Sequence, residues 1–262
     1  MYYPAYLFYN MCYSKVNLLN KKNIYSREKN PKIKPPWNRI KGPIFIGRTW
    51  SEYLKMFDLS SEDLVGEKIL DCAAGASSFT AEMSKRGFDV TAIDILYNED
   101  PDVLCDKCRD HMKILVEGLG SVDHFVWSFF NDLEDLKDQR NQACREFIDD
   151  YRNQIGIKYI AADLTHLPFE DNRFSMVLCS HLLFIYDHRL DYEFHLNSIK
   201  EMLRVTSIEL RIYPLVKNKG IKSDFVKRII DDLQDFDVNI VKVDYEFRRG
   251  GDEMIKISKI IN

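Results

Sequence analysis

The stretch Lys68–Asp94, KILDCAAGASSFTAEMSKRGFDVTAID, decides the fold. It reads as a buried strand (KILDC), a turn of small residues, a helix closed by Gly87, and a second buried strand (DVTAID) that stops on a carboxylate. Open α/β sheets build nucleotide sites from this unit. The small turn lets backbone N–H groups approach a ligand, and an acidic residue about 20 positions on takes ribose hydroxyls. Ala73, Gly75 and Ser77 keep the turn small. Alanine tolerates positive φ poorly, so ordinary backbone angles are expected at Ala73. Asp94, with Ile95 beside it, is expected to be a surface carboxylate at a strand end with few packing duties.

Outward from this unit, strands and helices alternate. GRTWSEYLKMF (47–57) reads as a helix before the sheet, with Thr49 and Glu52 at capping-box spacing. Residues 98–157 form an insertion with helical patterning, far longer than a usual connection. Further strands are expected at 157–163, 174–181 and 207–215, with helices at 191–205 and 222–236. The chain closes with DVNIVKVDYEF, the turn RRGGDE and MIKISKI. A Gly-Gly turn between two strands reads as a hairpin, so the last strand enters antiparallel. The expected fold is α/β: a doubly wound, seven-stranded, mostly parallel sheet with helices on both faces. Residues 1–40 read as a basic and aromatic extension, and 41–262 as one domain.

Apolar content of 45% and charged content of 30% are ordinary for a globular protein. No apolar run has the length needed to cross a bilayer, and the N-terminus lacks the form of a secretory signal. The net charge of -4 conceals an asymmetry: residues 1–50 hold ten Lys/Arg against the single acid Glu28. A basic arm of this kind suits phosphate-rich partners or a solvated extension, and no base-reading motif accompanies it. The six cysteines read as reduced thiols of a cytoplasmic protein, since a chain of this size needs no staples.

Ligands in such sheets sit at the carboxyl ends of the strands. The residues expected there are Asp71 to Ser78, Asp94, Asp163, Leu164, Ser180 and His181. Asp163 can accept from an adenine amine while the Leu164 backbone donates to the ring. Together these residues resemble the class I S-adenosylmethionine-dependent methyltransferases. The glycine-rich turn of that family appears as DCAAGAS (71–77), its acidic strand end as Asp94, and its strand-three signal as AADLTHLPFEDNRFSMVLCSH (161–181). Ala73 and Ser77 replace two of the three usual glycines, and Ser175 replaces the usual aspartate. The resemblance covers about residues 45–260 and extends to a bacterial subgroup of unassigned substrate. It implies S-adenosylmethionine as cofactor, and it implies that Arg48 reaches the cofactor's methionine carboxylate.

Methyl transfer needs an acceptor held in line, and a base only where the acceptor must lose a proton. His181 is the base candidate; a loop-capping role is the plainer reading. Tyr186 and Arg189 are candidates to line the acceptor pocket. Tyr245, Arg248 and Arg249 are candidates to hold an anionic acceptor through the arginine fork, or they form a solvated hairpin tip. Cys105, Cys108 and His111 lie along one helix, an arrangement that does not suit zinc, and no metal is expected. A small-molecule acceptor is favoured over nucleic acid. No Asn/Asp-Pro-Pro-Tyr/Phe segment follows strand four, where CSHLLFIY stands, and no Pro-Cys nucleophile is present. A protein acceptor, a non-catalytic nucleotide-binding module and a dehydrogenase are the alternatives. The last would want a G-x-G-x-x-G turn, which CAAGASSF lacks.

Overall fold

The structure, a computed structural model, describes residues 36–119, 125–217 and 220–260. Most of the expected extension, residues 1–35, lies outside the described residues. Its described end is a single 3-10 turn, Pro36–Arg39, in which the Trp37 ring fills the space where a Cβ on Gly118 would sit.

Helix α1 (Trp50–Met56) precedes the sheet and carries the expected capping box: Thr49 accepts from the Glu52 backbone and Glu52 from the Thr49 backbone. Then follow β1 (Lys68–Cys72), α2 (Phe79–Lys85) and β2 (Asp89–Asp94). The insertion forms two long helices, α3 (Pro101–Leu119) and α4 (Leu133–Gln154). The rest alternates as β3 (Tyr159–Ala161), β4 (Phe174–Ser180), α5 (Tyr192–Val205), β5 (Thr206–Tyr213), α6 (Asp224–Asp232), β6 (Phe236–Lys242) and β7 (Glu253–Lys259).

The sheet has seven strands in the order β3-β2-β1-β4-β5-β7-β6. The first five run parallel, and β7 is antiparallel to both β5 and β6. The chain thus winds one way from β1 to β2 and β3, then the other way through β4 and β5. This reversal opens a crevice at the carboxyl ends of β1 and β4, where ligands bind in such sheets.

Apolar clusters cover both faces of the sheet. One gathers Tyr53, Met56, Phe57, Ile69, Phe79 and Leu178; the other gathers Leu70, Val177, Ile199, Met202, Leu210 and Ile229. A third, aromatic cluster fastens the insertion to the sheet. Tyr97 stacks on Phe147 with centroids 5.7 Å apart, Phe147 on Tyr151 at 5.3 Å, and Tyr151 meets Tyr159 edge-on at 5.5 Å. Each such pair contributes about 0.5–1.5 kcal/mol beyond area burial.

Strand β6 stops at Lys242, where the sequence pattern runs on to Phe247. Tyr245 and Phe247, 3% and 8% exposed, turn into the core instead. Residues 243–252 therefore form a long loop folded back on the domain rather than a tight turn standing in solvent.

Candidate active site

The turn after β1 is tied to the end of β2. The Ala74 N–H donates to the Ile93 carbonyl at 3.0 Å, and the Gly75 N–H donates to Asp94 Oδ2 at 3.0 Å. The Leu96 N–H donates to Asp94 Oδ1 at 3.0 Å, and the Tyr97 hydroxyl to the Gly75 carbonyl at 2.7 Å. To make these bonds the chain passes through left-handed geometry at Ala73 (φ 53°) as well as at Gly75 (φ 58°). The expectation of ordinary angles at Ala73 is thus wrong. The tether to β2 outweighs a local cost of about 1–3 kcal/mol, and a methyl side chain keeps that cost low. Asp94 also differs from expectation: it is half-buried, and both of its oxygens organise backbone. Burial raises its carboxyl above the ordinary range, against the pull of the Leu96 and Gly75 N–H groups. Ser77 is buried, and its hydroxyl accepts from the Phe79 N–H at the start of α2.

Behind the turn, Asp71 is fully buried. Its Oδ1 accepts from the Tyr53 hydroxyl at 3.2 Å, while Oδ2 has no hydrogen-bond partner. Burial pushes this carboxyl well above its usual value. Such a group either keeps its proton or meets a cation.

The carboxyl end of β4 carries His181 in left-handed geometry (φ 56°), its N–H donating to the Tyr213 carbonyl at 2.7 Å. Its Nδ1 lies 2.8 Å from the Ser180 hydroxyl. Burial, then the charges of Arg48, Arg140 and Arg248, holds the imidazole well below its ordinary value. The ring is therefore held in its neutral form.

Sequence reasoning missed a buried ionic network beside this histidine. Glu52 and Arg140 are paired and buried. Arg140 also donates to the Gly47 carbonyl at 3.0 Å, and the Tyr245 hydroxyl donates to Glu52 Oε1 at 2.6 Å. Arg48 Nη1 stands 3.9 Å from Glu52 Oε1, beyond hydrogen-bonding distance, and is buried with no hydrogen-bond partner. The capping-box spacing flagged Glu52 as a helix start; nothing in the sequence pointed to its partner 88 residues away.

Residues 40–48 lie as a strap along this end of the sheet. The Ile44 N–H donates to the Tyr186 hydroxyl at 2.8 Å, and the Phe45 N–H to His111 Nδ1 at 2.9 Å. Arg189 donates to the Gly42 carbonyl at 2.7 Å, and the Ser78 N–H to the Arg48 carbonyl at 2.9 Å. Gly47 is pressed on α4 so closely that a Cβ there would lie 2.3 Å from the Arg140 carbonyl oxygen. A narrow slot opens beside the strap, walled by Trp37, Ile44, Phe125 and Ile185, with Tyr186 and Arg248 in its lining.

The expected acceptor residues therefore divide. Tyr186 and Arg248 line the slot, as does Arg189, whose guanidinium is engaged in holding the strap. Tyr245 is buried against Glu52 and does not sit at a solvated tip; Arg249 is exposed. On the cofactor side, Ile95 is 67% exposed beside Asp94, and Leu164 is buried. Asp163 Oδ1 accepts from the Thr165 N–H and hydroxyl, both at 2.8 Å. His111 serves the strap while Cys108 packs against Cys144, so these side chains do not converge.

A methyltransferase domain family matches residues 133–208, from α4 through β5. Over 222 residues the chain is 35% identical to an uncharacterized protein of Methanocaldococcus jannaschii, covering 84% of this chain and 98% of that one. The chain belongs to one family with that relative, and its segment from α4 to β5 matches a methyltransferase domain. Among solved structures it is similar to magnesium protoporphyrin IX methyltransferase of Synechocystis, at 14% identity and a TM-score of 0.43, over 80% of this chain and 81% of that one. It is also similar to a methyltransferase of Aquifex aeolicus, at 16% identity and a TM-score of 0.38, over 80% and 93% of the two chains.

The sequence resemblance implies S-adenosylmethionine as the cofactor, and the turn after β1 can be tested against it. The residues present fit it. The orphaned Asp71 Oδ2 suits an ammonium group, and the exposed Ile95 next to Asp94 suits an apolar ring beside a ribose. No helix among the described residues is long and apolar enough to cross a membrane.

Proposed function

We propose that this methyltransferase acts on a small molecule held between the end of β4 and the strap. The observation that carries the size of the acceptor is the strap itself. Tyr186 and Arg189, which follow His181, both bind its backbone. A roof fastened this way suits a compact acceptor better than a polymer.

In this reading Asp71 receives the amino group of the cofactor's methionine and Asp94 the ribose hydroxyls. Ile95, Asp163 and Leu164 border the adenine, and the backbone of Ala73, Gly75 and Ser77 forms the floor. Bound S-adenosylmethionine supplies a methyl group already activated by its sulfonium. The chain's own part is to hold the acceptor in line and exclude water. His181 takes the acceptor's proton where there is one, with Ser180 holding its Nδ1. The five described cysteines are free thiols, which supports a reducing, cytoplasmic setting.

The test is transfer of labelled methyl groups into a cell extract, separated by size. Label in the low-mass fraction is expected. Label confined to protein or nucleic acid would reject the small-molecule acceptor and leave methyl transfer standing.

A further inference from the structure

Gly75, in the turn after β1, is held from three directions. Its N–H donates to Asp94 Oδ2 at 3.0 Å, and its carbonyl accepts from the Tyr97 hydroxyl at 2.7 Å. Its Cα faces the strap: a Cβ on Gly75 would lie 3.7 Å from the Phe45 ring. Phe45 is 4% exposed and meets Phe147 of α4 edge-on at 6.1 Å, and Phe147 stacks on Tyr97. The three rings thus run from the strap through the insertion and back to Gly75. This packing sets the place of the turn only while Phe45 itself is fixed.

Phe45 is tied to α3 through its main chain. Its N–H donates to His111 Nδ1 at 2.9 Å. A ring nitrogen that accepts carries no proton, so this bond requires it to be unprotonated. A proton there would set a donor against a donor. His111 is half-buried. Burial, then Lys107, holds its imidazole below the ordinary value, against the opposing pull of Asp110. Both charged groups lie on α3; among the described residues, none on the strap or α4 bears on the ring. The bond is therefore complete above about 6.5 and is lost as pH falls through the lower folded value. The adjoining anchor, from the Ile44 N–H to the Tyr186 hydroxyl, does not titrate in this range, since burial raises the phenol.

We infer that His111 is a positioning residue for the turn after β1: by accepting from the Phe45 N–H it sets the Phe45 ring against Gly75, and a proton on Nδ1 loosens that hold and weakens cofactor binding. The inference rests on the reading of this turn as the floor of the S-adenosylmethionine site. His111 acts through Phe45, so a helix of the insertion makes retention of the cofactor sensitive to pH.

The experiment is calorimetry of the full chain with S-adenosylhomocysteine between pH 8 and 5, on the wild type, His111→Asn and His111→Leu. Asparagine offers an amide oxygen near the place of Nδ1, accepts from the Phe45 N–H and does not titrate. Leucine offers no acceptor. Asp71 and Asp94, both raised by burial, weaken binding toward acid in all three proteins, so the readout is the ratio of affinities at each pH. At pH 8 the wild type and His111→Asn should agree within about twofold, with His111→Leu about fivefold weaker, as the loss of one hydrogen bond predicts. At pH 5 the wild type should fall about fivefold behind His111→Asn and join His111→Leu. A second measurement needs no variant. In the wild type, protection of the Phe45 amide against hydrogen exchange, relative to its intrinsic rate, should drop about fivefold from pH 8 to 5 while that of Ile44 holds. A ratio of wild type to His111→Asn that stays constant with pH would overturn the inference, as would Phe45 protection that ignores pH. A constant deficit of His111→Leu against the wild type at every pH would make the histidine structural only, and overturn it too. Failure of the wild type to bind S-adenosylhomocysteine at any pH would bring down the cofactor reading together with the inference, whereas binding with a constant ratio brings down the inference alone.

Discussion

Arg140 on α4 and Glu52 on α1 form an ion pair whose side chains are 1% and 0% exposed. It joins the helical insertion to the helix that precedes the sheet. Burial alone would raise the Glu52 carboxyl, but Arg140 and Arg48 outweigh it, so the group sits below its ordinary value. Arg140→Met leaves Glu52 buried without its partner, a loss of about 3–5 kcal/mol. The expected fall in melting temperature is on the order of 10 °C for a chain of this size.

The same pair sets an acid limit. A carboxyl depressed by folding stabilises the native state above its unfolded value, near about 4.3, and that contribution disappears as pH falls through the lower folded value. Thermal melts from pH 7 to 3 should therefore be steeper at the acid end for the wild type than for Glu52→Gln. Parallel curves would mean that the pair contributes nothing to pH-linked stability.

Asp71 carries the opposite sign. Folding raises its carboxyl, so its stabilising contribution is complete below its unfolded value and is lost as pH rises through the folded one. Asp71→Asn retains an acceptor for the Tyr53 hydroxyl and removes the buried charge. The ligand-free variant should melt at or above wild type at pH 7. Its affinity for S-adenosylhomocysteine should fall about tenfold or more, since a charged hydrogen bond of about 1.5–3 kcal/mol is lost. An unchanged affinity by calorimetry would remove Asp71 from the cofactor site.

Asp94→Ala should cost both binding and stability. The carboxylate orders the Gly75 and Leu96 N–H groups, and leaving those donors unmet costs about 1–3 kcal/mol each when buried. A variant that loses the cofactor and keeps its full melting temperature would show that the turn holds without this tether.

His181→Asn keeps a residue that accepts left-handed geometry. Turnover should fall by about 10²-fold or more where the acceptor carries a proton, with S-adenosylhomocysteine affinity unchanged. The wild-type rate should lose activity only on the acid side, below the ordinary imidazole value of about 6.5, because folding favours the neutral ring. A wild-type rate in His181→Asn would leave the ring a loop-capping group.

Tyr186→Phe removes the acceptor for the Ile44 N–H and nothing else of comparable size. Amide exchange at Ile44 should quicken by roughly tenfold, in line with one hydrogen bond of about 1 kcal/mol. An unchanged exchange rate would mean the strap is held elsewhere.

Much of this was readable from residue order. The strands β1, β2 and β4 are apolar runs that could only be buried, and the capping box fixed the start of α1. Strand β3 was read too long because Asp163 turns the chain at once, its carboxylate binding Thr165 in place of a continued ladder. Ala73 was misread because local sterics favour one backbone and the tether to β2 demands another. The ionic network stayed hidden for a different reason. Helical periodicity reports which face of α4 is covered, and it carries no record that Glu52, on a distant helix, would meet Arg140 there. The strap has no periodicity at all, so its position depends on partners that only the folded chain brings near.

Gly47 meets α4 backbone to backbone, with no side chain between to slide or compress. The roof over the crevice therefore behaves as a hatch whose hinge is bolted to the insertion. A shift of α4 would carry Gly47 with it, so a substitution on the far side of that helix is a way to move the strap without touching it.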